Sequence, residues 1–439
     1  MTNLFQNKNK LPQILKEKEI QNYIVATVCQ AVLFRFYKIK IGFLKWQRFF
    51  CIASIFLLPL FLTNTLSAQI PELVKSGFEN VSVCEDSIYQ IFTVENNARY
   101  LPGIAARKAL DIISNADTSK KQKSIVFLRN GVPYISVTNS KTGPWKIGYK
   151  LPEGYNKNCT QAQRHNSSYF KTDIVIYPEL LYRNYRTDRL YEVVFNLSPA
   201  IELTLAKGLS FVGQIVIPIY NGYGKRYARI RPGFITLTQQ IRLPRQFFIS
   251  VSGGTFEYDR YGIDAQLFHP FKNIRWGLHA QMGLTGYFAL RTKWEASTPG
   301  RVTGRLGISY YEPHFNLYAI LYAGKYLYED YGVTAELNRH FRYATIGFYV
   351  QKTSKGNYLV NSSRLKLNGG FKIAIALPPY RQIRKKKFRI TPASHFRLTY
   401  NTYNDGNSCV YYRVHPGESN ASANFQPYFI QSEINRQRR

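Results

Sequence analysis

The sequence predicts a mainly β protein: an antiparallel transmembrane β-barrel of the outer-membrane type, preceded by a small α/β domain. Long segments after residue 170 alternate apolar and polar side chains. An apolar run at residues 49–62 precedes them, and Phe, Trp and Tyr make up 15% of the 439 residues. Alternation at every second residue indicates strands with two different faces, and aromatic side chains favour both strands and membrane interfaces.

Residues 1–68 are predicted to be an N-terminal extension that ends in a signal peptide. Lys45 lies before the apolar run at 49–62, and Ala68 and Gln69 flank the expected cleavage position. The run is shorter than a helix that crosses a bilayer, so a signal peptide is favoured over the alternative, a transmembrane anchor. Because an exported chain leaves the cytoplasm, we expect the α/β domain to lie in the periplasm.

Residues 69–165 are predicted to form this small periplasmic domain. The segment 88–96 is a strand candidate, and the segment 101–114 has apolar residues at helical spacing. Two short strands are expected at 124–139, around Asn130-Gly131, because an Asn-Gly pair favours a hairpin turn. The sequence therefore predicts a domain that consists of a strand, a helix and a β-hairpin.

Cleavage after residue 68 leaves three cysteines, Cys84, Cys159 and Cys409. Export brings the chain into an oxidising compartment, where Cys84 and Cys159 can form a disulfide within the α/β domain. Unpaired thiols explain the spacing equally well, so the sequence leaves both possibilities open. The cysteine spacing matches no metal site, and we predict neither a metal nor a cofactor.

Residues 166–434 are predicted to form the barrel, and the segment 275–288 shows the pattern most clearly. Its even-numbered positions are mostly apolar, whereas its odd-numbered positions are polar or small and include Gly277, His279 and Gln281. The segment has the length that a tilted strand needs to cross a bilayer. The barrel must be closed, because an open sheet edge in hydrocarbon leaves backbone groups unpaired. A soluble β-sandwich or propeller is the alternative.

An internal repeat runs through the barrel region. Residues 254–281 align with residues 324–351 without a gap, and the two copies share Gly, Tyr, Ala, Leu, Phe and Gln positions. Each copy reads as a strand, an acidic aromatic turn, a strand, a short turn and another strand. The repeat is too long for one propeller blade and fits a block of strands duplicated around a barrel.

Turns and the chain end complete the predicted barrel. Turn residues are expected between strands at Asn221-Gly222, Ser252-Gly253-Gly254, Pro299-Gly300 and Asn368-Gly369-Gly370. The segment 425–434, FQPYFIQSEI, is predicted to be the closing strand, and residues 435–439 are predicted to be a basic tail. No second amphipathic helix of normal length is expected in this region.

The repeated turns and the inner face of the barrel contain the candidate site residues. They are Glu257, Tyr258, Asp259, Tyr261, Tyr328, Tyr331 and His279. The tyrosines are candidate lumen contacts, although aromatic residues at a membrane interface are the more ordinary interpretation. The carboxylates are expected to form inward ion pairs with Arg275, Arg305 or Arg342 rather than a hydrolase pair. His279 is expected to line the lumen as a hydrogen-bonding residue.

Catalytic motifs and nucleic-acid recognition motifs are both missing from the sequence. It contains no phosphate-binding loop, HExxH or Gly-x-Ser-x-Gly motif, so no catalytic residue is predicted. The formal net charge is +33, but the Lys and Arg residues are scattered, with dense runs only at 384–387 and 436–439. Contact with acidic lipid or glycan explains this charge without a nucleic-acid partner.

Two parts of the sequence resemble the YjbH family, outer-membrane β-barrel proteins of Gram-negative bacteria linked to exopolysaccharide production. The segments that carry the resemblance are IYQIFTVENNARYLPGIAARKALDII and SIVFLRNGVPYISV, then VVFNLSPAIELTLAKGLSFVGQIVIPIYN and GTFEYDRYGIDAQLFHPF. The resemblance covers most of residues 75–380 and implies a role beside polysaccharide secretion, without supplying catalytic residues. The chain is shorter than members with duplicated halves, and it lacks a lipoprotein cleavage box.

The favoured function is therefore a non-catalytic outer-membrane accessory for exopolysaccharide or capsule production or export. The expected partners are outer-membrane lipid, a secreted polysaccharide and the polysaccharide-export machinery. Three alternatives stay open: a general porin for small anionic solutes, an outer-membrane enzyme acting on lipid or glycan, and a surface adhesin. A porin would conduct ions openly, an enzyme would lose turnover after one replacement, and an adhesin would have a water-soluble mature domain.

Overall fold

The computed structural model describes most of the chain from Gln69 to Arg436. The described residues are 69–97, 101–115, 121–138, 145–183, 191–224, 227–290, 294–353, 367–377, 388–391, 395–401, 411–417 and 426–436. The predicted signal peptide, Cys409 and the basic residues at 384–387 and 437–439 lie outside this set.

The first part of the described chain is an α/β domain around a five-stranded sheet. Its elements are α1 (Gln69–Lys75), β1 (Glu79–Glu85), β2 (Tyr89–Glu95), α2 (Pro102–Asn115), β3 (Gln122–Arg129), β4 (Val132–Thr138), β5 (Lys146–Gly148) and α3 (Lys157–Gln161). The strands follow one another in sequence order across the sheet. Only β2 and β3 are parallel, and α2 makes the crossover between them.

The elements predicted in this domain are confirmed, and its cysteines are paired. The hairpin of β3 and β4 turns at Asn130 and Gly131, whose φ angles are 49° and 74°. Positive φ at both turn residues is what a two-residue hairpin requires and what an Asn-Gly pair allows. Cys84 and Cys159 form a disulfide with their Cα atoms 4.9 Å apart. The bridge joins β1 to the short helix α3.

The second part of the described chain is a closed barrel of thirteen strands. The strands after the α/β domain are β6 (Thr172–Arg183), β7 (Glu192–Ala206), β8 (Leu209–Asn221), β9 (Arg231–Leu243), β10 (Phe247–Phe256), β11 (Arg260–Pro270), β12 (Trp276–Leu290), β13 (Trp294–Ala296), β14 (Arg301–Glu312), β15 (Leu317–Lys325), β16 (Tyr331–His340), β17 (Ala344–Thr353), β18 (Leu367–Ala376), β19 (Phe388–Thr391) and β20 (His395–Asn401). The short strands β13 and β19 pair with β12 and β6 and are not part of the ring.

The ring closes through one parallel pair. Neighbouring strands are antiparallel around the barrel, but β20 runs parallel to β6 where the last strand meets the first. An odd number of alternating strands forces one such pair. Bacterial single-chain barrels usually have an even number of strands, so this seam distinguishes the molecule. The parallel pair completes the backbone hydrogen bonding and leaves no open edge.

The barrel strands have the predicted inner and outer faces. On β12, Gln281 and Thr285 are 7% and 0% exposed, whereas Met282 between them is 64% exposed. Gly277 and Gly283 lie on the inner face, where a Cβ atom would meet Phe268 and Tyr412. Polar and small side chains therefore fill the lumen, and apolar side chains cover the outside.

The sequence repeat corresponds to two blocks of three strands. The first copy begins at the end of β10 and continues through β11 into β12. The second copy occupies the same positions on β15, β16 and β17. In both copies the acidic aromatic turn lies between the first and second strands, so the duplicated block predicted from the sequence is confirmed.

Two of the predicted turns are wrong. Ser252-Gly253-Gly254 lies inside β10, and Asn368-Gly369-Gly370 lies inside β18. Gly254 pairs with Gly262 on β11, and a Cβ atom on Gly254 would collide with the carbonyl oxygen of Ile235. Glycine is needed at these places because strand backbones approach closely, not because the chain reverses.

The predicted closing strand at 425–434 is also wrong. This segment is helix α4 (Pro427–Arg436), which extends two residues into the predicted basic tail, and β20 closes the barrel instead. The helix buries Phe429, Ile430 and Ile434, and the two isoleucines join the apolar core of the α/β domain. Proline is well tolerated at the first helical position, so Pro427 begins the helix. A second amphipathic helix of normal length therefore exists after all.

The α/β domain lies against one end of the barrel, named here the short-turn end. The strand connections at this end are 207–208, 244–246, 271–275, 313–316 and 341–343. The backbone N–H of Gly208 donates to the carbonyl oxygen of Asn130 at 2.6 Å. The Arg242 guanidinium donates to the carbonyl oxygens of Pro133, Tyr134 and Tyr149. The opposite end, which carries the 257–259 and 326–330 turns, is named the loop end.

Candidate functional site

The inside of the barrel contains a cavity of about 550 Å³. Its lining comes from three places: the inner faces of the strands, the α/β domain at the short-turn end, and residues that follow β20. A cavity of this size falls in the range of small-molecule sites. We therefore treat the lumen cavity as the candidate functional site.

One wall of the lumen cavity contains a chain of side-chain hydrogen bonds that crosses three neighbouring strands. Gln281 on β12 donates from Nε2 to both carboxylate oxygens of Asp264 on β11, at 3.1 Å each. Arg305 on β14 donates from Nε and Nη2 to Oε1 of Gln281, at 3.0 and 2.7 Å. Asp264 is 1% exposed. These bonds fix the amide and the guanidinium in single orientations.

The Arg305 guanidinium lies between two aromatic rings. Its central carbon is 4.2 Å from the ring centre of Tyr322 and 4.3 Å from that of Tyr411. A cation over an aromatic face is stabilised by the ring quadrupole, and more so where water is excluded. Tyr322 belongs to β15, whereas Tyr411 follows the last strand. Arg305 therefore connects the barrel wall to the chain segment inside it.

A four-member ion network lies beside the parallel seam. Arg413 donates to Glu257 from Nε at 2.9 Å and from Nη2 at 2.7 Å, which is a bidentate pair. Its Nη2 also lies 3.3 Å from Glu179 on β6. Arg397 on β20 forms ion pairs with the same two carboxylates. Two guanidinium groups thus neutralise two carboxylates on the lumen side of the seam, as expected for charges facing away from lipid.

Aromatic rings of the α/β domain cover the short-turn end of the lumen cavity. Tyr134 packs on Phe248 with ring centres 4.9 Å apart, and Tyr149 packs edge-on to Phe268 at 5.5 Å. Burial raises the pKa of both tyrosine hydroxyls, so they stay neutral hydrogen-bonding groups. The cavity floor is therefore aromatic and uncharged at these positions.

Three of the seven predicted site residues line the lumen cavity: Glu257, Tyr258 and His279. His279 faces the lumen, and its Nε2 lies 3.0 Å from Ser309 Oγ and 3.1 Å from Tyr318 Oη. These contacts place the imidazole among hydroxyl groups of neighbouring strands.

The other four predicted residues are not among those that line the cavity. The Tyr261 hydroxyl donates to the carbonyl oxygen of Ser297 at 2.6 Å, and Tyr331 is exposed on the outer surface. Asp259 accepts a backbone hydrogen bond from Phe288 through its carbonyl oxygen at 2.8 Å. Tyr328 packs against the apolar cluster at the loop end. The structure therefore separates the repeated turns into one lumen-facing group and one peripheral group.

The arginine partners predicted for the acidic turns differ from those observed. Glu257 pairs with Arg413 and Arg397. Arg275 lies 3.9 Å from Glu312, and Arg342 lies 2.8 Å from Glu433 of α4. The inward network exists, but its partners come from parts of the chain that the repeat does not include.

The comparison with protein families finds a similarity that lies within the barrel. Residues 185–378 match the family model YjbH, described as exopolysaccharide biosynthesis protein YbjH. The matched part of the barrel is YjbH-like. The match runs from before β7 to just after β18 and includes both copies of the repeat. No curated protein and no solved structure matches the chain.

A YjbH-like assignment implies an exopolysaccharide-related role for the barrel. The described residues contain no group of three or more His, Cys, Asp or Glu side chains arranged to hold a metal ion. Within the same residues, no helix is both long enough and apolar enough to cross a membrane. The chemistry that the lumen cavity of this YjbH-like barrel offers is hydrogen bonding, ion pairing and aromatic stacking.

Sequence reasoning missed the residues that approach the lumen cavity from the chain end. Tyr411, Tyr412 and Arg413 line it although they lie outside every predicted strand, and Gln426 lines it from the segment wrongly predicted to be the closing strand. The sequence signal was weak: two adjacent tyrosines and an arginine after the last alternating segment. Nothing local distinguishes such a segment from a loop at the barrel rim.

Proposed function

We propose that this YjbH-like protein is a non-catalytic outer-membrane accessory for the production or export of an exopolysaccharide. The observation that carries the proposal is a closed barrel with an apolar exterior and a polar, aromatic lumen. The outward-facing exposed side chains include Ile215, Leu237, Ile263, Met282, Leu306, Leu321, Phe348 and Ile375. Soluble monomers rarely expose an apolar surface this extensive, whereas an outer-membrane barrel must.

Aromatic residues at both ends of the barrel support the membrane location. Exposed aromatic residues at the loop end are Tyr191, Tyr220, Trp294 and Tyr331, and those at the short-turn end are Phe271, Trp276, Phe315, Phe341 and Tyr343. Two such girdles match the two headgroup regions of a bilayer. Periplasmic turns are usually the shorter ones, which supports a periplasmic location for the α/β domain, where we propose that it binds export machinery.

The proposed role of the lumen is to hold part of a secreted polysaccharide. Its hydroxyl, amide and guanidinium groups suit sugar hydroxyls and acidic substituents, and its tyrosine rings offer apolar faces. The porin alternative is less favoured, because the side chains of Tyr412 and Arg413 extend into the lumen, where they contact Phe256, Glu257 and Glu179. An enzyme is less favoured because the cavity-lining carboxylates Glu257 and Glu336 are paired with cations, Arg413 and Lys372 respectively.

Filling the lumen cavity tests this proposal. Ser250 on β10 lines the cavity, and the adjacent Val251 is exposed on the outer face. In a deletion strain of the source bacterium, Ser250→Trp should restore barrel levels but not polysaccharide secretion, because the indole occupies the space proposed for sugar. The matched control, Val251→Trp, should restore both, since Trp is tolerated on a lipid-facing surface. Normal secretion with Ser250→Trp would refute the lumen role.

A further inference from the structure

The chain after β20 returns into the barrel. Residues 411–417, named here the lumen segment, lie inside the ring rather than in its wall. Tyr412 is 2% exposed, and its ring stacks on Phe256 with centres 5.3 Å apart and planes 6° apart. The Tyr412 hydroxyl occupies the position that a Cβ atom would take on Gly283. The lumen segment therefore fills the lumen near the loop end.

The lumen segment belongs to a path through the barrel. Asn401, at the end of β20, pairs with Gly370 on β18 towards the loop end. Helix α4, which follows the lumen segment, lies at the opposite end, where Gln426 Nε2 donates to the carbonyl oxygen of Ile274 at 3.3 Å. Arg413 and Gln426 line the same cavity. The described residues before and after the lumen segment therefore lie at opposite ends of the barrel, with Asn401 towards the loop end and α4 at the short-turn end.

The barrel wall is complete without the lumen segment. Among the strand pairings of the described residues, none involves residues 411–417. The contacts that hold the segment are side-chain contacts, chiefly Arg413 with Glu257 and Glu179, and Tyr412 with Phe256. A main-chain bond from Glu257 N–H to the Arg413 carbonyl oxygen, 3.2 Å long, adds to them. Withdrawal of the segment would break these contacts and leave every strand ladder intact.

We infer that the lumen segment is a displaceable plug that closes the barrel until a polymer passes or binds. The inference rests on the proposed function and adds how passage through the barrel is regulated. In this account, the lumen described here is the closed state. Side-chain ion pairs and stacking exchange for polymer contacts and water more readily than a strand ladder opens. The anchored helix α4 keeps the segment attached, so the plug can return.

A reversible crosslink between Glu257 and Arg413 tests the plug. The main-chain hydrogen bond between these residues shows that their backbones are neighbours, which a disulfide requires. The full-length chain would carry Glu257→Cys and Arg413→Cys, with Cys409→Ser to remove the nearby thiol. When oxidised, the double variant should hold the segment in place. When reduced, it lacks both the crosslink and the ion pair, and the segment should leave.

Conductance in planar bilayers is the readout. We expect low conductance from the oxidised double variant and a severalfold higher conductance after reduction. Wild-type protein with the same reductant should stay low, which controls for the Cys84–Cys159 disulfide. Arg339→Ala, which removes an exposed arginine outside the lumen, should also stay low.

The possible failures are distinguishable. Equal conductance in the oxidised and reduced states, whether low or high, would overturn the plug, and so would failure of the two thiols to pair. In each of these cases two other measurements test the proposed function. They are the gel mobility of the barrel with and without boiling, and polysaccharide secretion in the complemented deletion strain. The proposed function therefore stands or falls on different observations.

Discussion

Single positions on the inner face show how closely the lumen is filled. A Cβ atom on Gly283 would lie 1.7 Å from the Tyr412 hydroxyl oxygen, which no structure permits. The alternation of β12 alone predicts that residue 283 faces inward. It does not predict which side chain lies above the residue, because Tyr412 is far away in sequence and its position follows from the whole fold.

Gly283→Ala should therefore loosen the lumen segment. The new methyl group collides with Tyr412, so the ring must leave its stack on Phe256, and we expect higher bilayer conductance than wild type. Gly304→Ala is the matched control, because a Cβ atom there meets only the carbonyl oxygen of Gln281 at 3.7 Å. Conductance unchanged by Gly283→Ala in a folded barrel would contradict the described position of Tyr412.

For the predicted site residues as well, the local sequence identifies the residue but not the side chains that it contacts. Glu257 and Tyr258 occupy turn positions whose sequence marks them as acidic and aromatic, and both line the lumen cavity. Their partners could not be inferred, because Arg413 and Arg397 reach Glu257 only when the first and last strands meet. Ion pairs between distant segments depend on strand order, and no local pattern records that order.

At the scale of the element, strands were more predictable than the final helix. Alternation along β12 or β17 is repeated at each residue pair, so it identifies the strand and its faces. In α4 the apolar residues Phe429, Ile430 and Ile434 are interrupted by Glu433, a buried carboxylate that pairs with Arg342. Because this charged residue lies on the buried side of the helix, the apolar spacing that identifies an amphipathic helix is incomplete in the sequence.

Helix α4 should be part of the stability of the α/β domain. Ile430 is 4% exposed and contacts the domain core, so Ile430→Ala should lower the local free energy of unfolding by about 2–5 kcal/mol. Hydrogen exchange of β2 and β3 measures this value directly. Asn435→Ala, at an exposed position of the same helix, should leave exchange unchanged. Equal exchange in both variants would show that α4 does not support the domain core.

At the scale of the whole molecule, the sequence predicts a barrel but not its strand number or its contents. The inward and outward faces follow from each strand separately, and closure follows from the cost of an open edge in hydrocarbon. Thirteen strands and a parallel seam depend on how β6 and β20 pair. The lumen segment depends on where the chain goes afterwards. These global properties require the assembled fold.

The measurement that tests the central claim most directly is fractionation of the tagged protein in a Gram-negative host. The membrane fractions would be analysed by gel electrophoresis with and without boiling. We expect the protein in the outer-membrane fraction, with the unboiled sample migrating faster because the closed barrel resists detergent. A soluble periplasmic protein with no mobility shift would contradict the membrane barrel and the export role proposed for it.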